Sequence, residues 1–136
     1  MNNSKFQLKD LQLINIDYKF NDKYQSEDRL KLNMKSETII SKAFEDRVAE
    51  VTFNLNIFCE EELDIVPFSL RISYKGKFYW GEQLDPKKAD ELLRMNAPSI
   101  LLSYIRPFVS QFTSASGYPT LILPLIDFTQ NKVTLN

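Results

Sequence analysis

Two stretches of strict two-residue alternation set the limits on what this chain can become. Val51, Phe53, Leu55 and Ile57 alternate with Glu50, Thr52, Asn54 and Asn56, and Phe68, Leu70, Ile72 and Tyr74 alternate with Ser69, Arg71, Ser73 and Lys75. Successive side chains of a strand point to opposite faces, so each run describes a strand with one apolar and one wet face. An antiparallel sheet packed on one side accepts such strands; a parallel sheet buried on both faces does not. The rest of the 136 residues must then supply a cover for the apolar face.

Further strands are predicted upstream. Phe6 and Leu8, then Leu11 and Leu13, then Ile14, Ile16, Tyr18 and Phe20 alternate with polar residues, but the parity changes twice. Each change moves the apolar set to the other face unless a bulge resets the pleat, so the first strand is expected to be long and bent or bulged. Leu30, Leu32 and Met34 predict a short second strand after the polar turn Asn21 to Asp28. Lys75-Gly76-Lys77 interrupts the fourth strand before Phe78-Tyr79-Trp80, as a turn or bulge would. The sheet is expected over about residues 6–80.

The cover is predicted in the C-terminal part. Asp85 before Pro86 is an N-cap followed by proline at the first helical position, which opens a helix to about Met95 with Ala89, Leu92 and Leu93 on its apolar side. Asn96 and Pro98 repeat the start signal, and a second helix is expected from Pro98 to about Ser114, stopping at Gly117 with Pro119 beyond. Pro107 cannot donate to the carbonyl of Ser103, which predicts a kink. At 100° per residue, Ile100, Leu101, Leu102, Tyr104, Ile105, Phe108, Val109 and Phe112 span roughly 200°, about twice what packing on one sheet needs. The surplus predicts a second surface, most economically another subunit related by a twofold axis. After Gly117, Pro119 and Pro124 forbid a regular helix in Tyr118 to Phe128, which reads as an extended apolar crossing segment. Thr129 to Asn136 is polar and expected to fray. The whole reads as one α+β domain over residues 1–136, a four-stranded antiparallel sheet with helices on one face and a helical and crossing segment over about 85–128.

Charge is distributed unevenly. The chain carries 17 basic and 18 acidic side chains, yet residues 97–136 hold only Arg106, Asp127 and Lys132. Such a segment is either buried or meant to touch something. A formal net charge of −1 offers no general attraction to nucleic acid or anionic lipid. The N-terminus lacks a basic start followed by an apolar run, and no apolar stretch approaches the roughly 18 residues of a membrane span, so a cytoplasmic protein is expected.

Several chemistries are disfavoured. With no histidine, the usual general base, the His-dependent nucleophile triads and most zinc sites are missing. Cys59 is the sole cysteine, and Glu60, Glu61, Glu62 and Asp64 after it disfavour a reactive thiolate. That acidic run lacks the spacing and central glycine of a calcium loop. Gly76, Gly81 and Gly117 are too scattered to cradle phosphate. The lysines beside Phe78-Tyr79-Trp80 lack an RNA-binding pattern. No catalytic residue, metal or cofactor is expected.

Two segments carry a family resemblance. Asn96-Ala97-Pro98-Ser99-Ile100-Leu101-Leu102-Ser103-Tyr104-Ile105-Arg106 resembles the Pro-Asn-Ile-Leu-Phe-Pro-Tyr-Ala-Arg stretch that begins the first long helix of the SecB protein-export chaperones. Gly117 to Phe128 resembles the crossing segment Phe-Pro-Gln-Leu-Asn-Leu-Ala-Pro-Val-Asn-Phe that follows it. The strand Phe68 to Phe78 agrees more loosely, and the resemblance covers about residues 6–128. It implies an ATP-independent holdase, a dimer or dimer of dimers, that keeps non-native polypeptides unfolded in a hydrophobic groove. By position it implies a client groove at Tyr24, Tyr118, Leu121, Leu123, Leu125 and Phe128. The same matching, with the helical wheel, implies an oligomer interface at Leu70, Ile72, Tyr74, Leu101, Tyr104, Ile105, Phe108 and Phe112.

The chain also departs from the family pattern. A second C-terminal helix and a basic zinc-binding tail are expected to be missing after Phe128, and Arg71 and Asn21 replace acidic residues of the face that docks on SecA, although Asp17 matches. Docking on SecA in the usual way is therefore expected to be weakened. Partners implied are unfolded preproteins or, as in short SecB-like proteins of toxin–antitoxin–chaperone systems, an antitoxin. A dimeric α+β binding module without chaperone activity is the alternative from another class.

Overall fold

The computed structural model describes residues 6–24, 32–43, 46–115 and 132–135. Its strands are β1 (Gln7–Phe20), β2 (Met34–Ala43), β3 (Val48–Ile57), β4 (Phe68–Tyr79) and β5 (Lys132–Leu135), and one helix, α1 (Pro86–Ala115), lies between β4 and β5 in the chain. The sheet order is β1-β4-β3-β2-β5. β2, β3, β4 and β1 pair antiparallel, and β5 joins the outer side of β2 in parallel.

β3 and β4 form where alternation is strictest, and register keeps their apolar residues on one face: Phe53 opposes Tyr74, Leu55 opposes Ile72 and Ile57 opposes Leu70. These six are nearly or fully buried. α1 lies on this face over β3 and β4 and reaches β2. Ala89, Leu93, Ala97, Leu101, Ile105 and Val109 of α1 are all fully buried there. Each fully buried large apolar side chain contributes about 1.5–3 kcal/mol.

The first strand has the predicted irregularity. Its pairing with β4 shifts register between Lys9 and Gln12 and again between Leu13 and Asn15, and Asp10 takes a φ of 56°. These are the two places where the apolar parity changes.

Four expectations need correction. The sheet has five strands rather than four and is mixed, because Lys132–Leu135, expected to fray, pairs with Glu37–Ile40. The second strand is β2, which begins at Met34, where the predicted strand ended. Gly76 does not mark a turn, since β4 runs unbroken through it. A Cβ there would strike Leu8 Cδ1 and lie 3.3 Å from Leu101 Cδ2, so the glycine makes room for packing rather than for a bend.

The two predicted helices are one. Asp85 caps it as expected, the backbone N–H of Lys87 donating to Asp85 Oδ1 at 3.2 Å. Pro98 lies inside the helix and not at a new start. A proline there forgoes one backbone hydrogen bond, but Ala97 and Leu101 on either side of it are both fully buried, so burial holds the helix through the break. Pro107 is likewise inside the helix, on its exposed side.

A buried-edge ion pair pins the start of α1. Lys42, whose side chain keeps 12% of its exposure, pairs with Asp90, which also accepts from Arg94 Nε at 2.8 Å. The Lys42 hydrogen bond, with help from Arg94, holds the Asp90 carboxyl below its ordinary value of 3.8. A depressed carboxylate contributes stability that is present above the ordinary value and lost as pH falls through the depressed one. Asp90→Asn is therefore expected to be less stable than the parent at neutral pH, with the gap closing below about pH 4 in urea titrations followed by Trp80 fluorescence. Gly76→Val improves strand propensity but overfills the site, and should cost about 1–3 kcal/mol in the same assay.

Candidate binding surface

Tyr104, Phe108 and Phe112 recur every four residues, which places them one above another on a single flank of α1. This flank is not spent in the core: Tyr104 is 44% exposed and Phe108 and Phe112 are half-buried. Each meets aromatics that the sheet sends up on the same side. Tyr74 of β4 lies 6.4 Å from Tyr104 and 6.1 Å from Phe108 between ring centroids. Phe112 stacks on Tyr18 of β1 at 5.2 Å with 18° between planes. Tyr18 in turn meets Phe68 at 5.6 Å, and Phe68 meets Phe58 at 5.3 Å. A chain of rings thus runs from the surface of α1 into the core. Such pairs contribute about 0.5–1.5 kcal/mol each beyond the area they bury. Burial pushes the Tyr74 hydroxyl above its ordinary pKa, so this group stays neutral.

Beside this flank lies β1, the edge strand next to β4. Leu11, Leu13, Ile14 and Phe20 are 37%, 38%, 49% and 51% exposed. Two bulges in one strand cannot aim every apolar residue at one core, and these four are left near the surface. Aromatic flank and β1 together make an apolar surface along one side of the helix.

The opposite, wet face of the sheet is of mixed charge. Ser73 Oγ donates to Asn54 Oδ1 at 2.6 Å, Arg71 Nε to Asn56 Oδ1 at 3.2 Å, and Lys75 pairs with Glu50 at 3.7 Å. A shallow cleft of about 260 Å³ lies between Asp17, Lys35, Glu60, Glu61 and Arg71. Lys19 pairs with Glu60 at its rim, which raises the lysine and lowers the carboxyl. Both signs are interleaved, so the cleft has no preference for an anion or a cation. Among the described residues, no group of His, Cys, Asp and Glu is placed to hold a metal ion, and no helix is long and apolar enough to cross a membrane.

The structure divides the residues expected at the oligomer interface. Tyr104, Phe108 and Phe112 are on the surface flank. Leu70, Ile72, Tyr74, Leu101 and Ile105 are at most 7% exposed and lie in the chain's own core. Of the expected client groove, Tyr24 is half-buried at the end of the turn after β1, its N–H bonded to Asn21 O at 3.2 Å. Tyr118, Leu121, Leu123, Leu125 and Phe128 lie outside the described residues. The exposed apolar residues of β1 were not anticipated as a surface, although the two parity changes in Leu11 to Ile14 were their signal. Asn21, where an acidic residue was expected, has a local use: its side-chain amide donates to the carbonyls of Asp64 and Val66 at 3.4 and 3.3 Å.

Comparisons with known proteins agree on one family. A family model of the preprotein translocase subunit SecB matches residues 3–131. The protein-export protein SecB of Rhodospirillum centenum is 31% identical over 88 residues, 65% of this chain and 52% of that protein. That of Stenotrophomonas maltophilia is 30% identical over 109 residues, 80% and 59%. The chain thus spans about half the length of these relatives. Among solved structures, a SecB-like chaperone of Mycobacterium tuberculosis, in complex with a ChAD peptide from the HigA1 antitoxin, has the same fold. It superposes with a TM-score of 0.70 at 13% identity, covering 90% of this chain and 91% of that one.

The stacked pair between β1 and α1 is testable by itself. A double-mutant cycle with Tyr18→Ala and Phe112→Ala should give a coupling of about 0.5–1.5 kcal/mol in urea unfolding. Additive effects would mean that α1 and β1 do not grip each other through this pair.

Proposed function

The chain belongs to the SecB family, and from that premise we propose that it is an ATP-independent holdase, not an enzyme, that binds non-native polypeptides and keeps them unfolded in the cytoplasm. The supporting observation is geometric. Five strands about 4.8 Å apart span about 19 Å, while a helix with its side chains is about 10–12 Å wide. Among the described residues α1 is the only α-helix on this face, and it is narrower than the sheet. What it leaves on the β1 side is the flank of Tyr104, Phe108 and Phe112 with Leu13, Ile14 and Phe20, an apolar surface of the kind that marks a protein contact.

We assign part of that surface to self-association, a twofold dimer or a dimer of dimers, and the crossing segment with Tyr118, Leu121, Leu123, Leu125 and Phe128, together with Tyr24, to the client. Export is the client pathway that the relatives' names support. The fold match to a chaperone holding an antitoxin peptide favours a second reading, in which the client is an unstable antitoxin. In the first reading SecA is the partner, docked more weakly than in the usual family pattern. Arg71, engaged with Asn56, and Asn21, engaged with the loop before β4, make its docking face less acidic.

A purified sample should slow aggregation of a chemically denatured client at stoichiometric amounts without nucleotide; the absence of both protection and binding of an unfolded polypeptide overturns the holdase reading. Binding of SecA or of an antitoxin peptide separates the two clients. Phe108→Asp puts a charge into the middle of the aromatic flank, where its desolvation costs several kcal/mol. Light scattering at micromolar concentration should show a smaller particle than the parent, and retained assembly would move the interface elsewhere.

A further inference from the structure

The outer edge of β2, a strand that α1 reaches, is paired by the chain itself. Lys132–Leu135 lies along the outer side of β2, Lys132 opposite Glu37, Val133 opposite Thr38, Thr134 opposite Ile39 and Leu135 opposite Ile40. Val133 and Leu135 therefore share the face of Thr38 and Ile40, which are fully buried. Val133 packs partly against the core. Leu135 stays 52% exposed.

We propose that β5 is an internal stand-in for a client, and that an extended segment of a non-native polypeptide, with apolar side chains at alternate positions, displaces it from the edge of β2. This rests on the holdase reading. Three observations support it. β5 has four residues against the ten of β2, so it covers less than half of that strand. It pairs in parallel, the slightly weaker geometry per residue, and carries one half-buried apolar anchor. Its pattern of Lys-Val-Thr-Leu, polar and apolar in turn, is what any extended amphipathic segment presents. Edge pairing draws its affinity from the backbone and its selectivity from alternate side chains, which suits a protein that must accept many sequences. A short, weak strand held in cis makes the edge available only to segments that pair better than it does. It also keeps the edge from open exposure when no client is present.

The test compares the full chain with a chain ending at Asn131, using fluorescein-labelled, reduced and carboxymethylated lactalbumin as a permanently unfolded probe. If β5 occupies the site most of the time, removing it should tighten binding about three- to tenfold, because the apparent affinity of the parent is reduced by the fraction of open sites. Equal or weaker binding by the shortened chain, with the parent still binding, overturns this inference and leaves the holdase reading standing. Failure of both forms to bind overturns both. Hydrogen exchange on the intact chain gives an answer that does not depend on how the shortened chain folds. Saturating probe should release protection at those alternate amides of β5 that pair with β2, and unchanged or increased protection there overturns displacement.

Discussion

The architecture of the described residues depends on a mismatch of widths, a single α-helix laid on a five-stranded sheet. α1 is long enough, since 30 residues at 1.5 Å reach about 45 Å, comparable with strands of ten to fourteen residues. It lies over β3 and β4, reaches β2 and is narrower than the sheet. Among the described residues the fully buried side chains are concentrated on β3 and β4, with Thr38 and Ile40 of β2 beside them. The two flanks have opposite solutions. On the β1 side, aromatic rings lean together but keep part of their surface in water; on the β2 side, four residues of the same chain pair with the outer edge of the strand.

Legibility in the sequence followed how local the cause of each element was. β3 and β4 were readable because alternation is a property of neighbouring residues, and the bulges of β1 because a parity change is local too. The helix start at Asp85 was readable for the same reason. Continuity of α1 through Asn96-Ala97-Pro98 was not, because the local signal at Pro98 says start and the outcome is decided by Ala97 and Leu101 pressing on strands more than twenty residues away. β5 was missed because Val133 and Leu135 are too short a pattern to distinguish from a polar tail; only the open edge of β2 gives them a partner.

The surface was legible in part. The helical wheel showed more apolar arc than one sheet needs; Tyr104 stays 44% exposed, while Phe108 and Phe112 pack in part against the core. It did not separate them from Leu101 and Ile105, because a wheel shows angle and not depth. Leu70, Ile72 and Tyr74 entered by positional matching to the family, and in this chain they are core residues first. The segment Tyr118 to Phe128 rests on its resemblance and its two prolines alone.

An exposed strand edge with leucine and isoleucine on it is a template for cross-β stacking, and such a template is a risk. The irregular register of β1 answers that risk. An incoming strand can match the edge only over a short stretch before the bulge at Asp10 or the shift after Leu13 throws its hydrogen bonds out of step. The same irregularity that leaves apolar side chains at the surface therefore limits how far a ladder can grow from them, and contact stays finite where a flat strand would seed a filament.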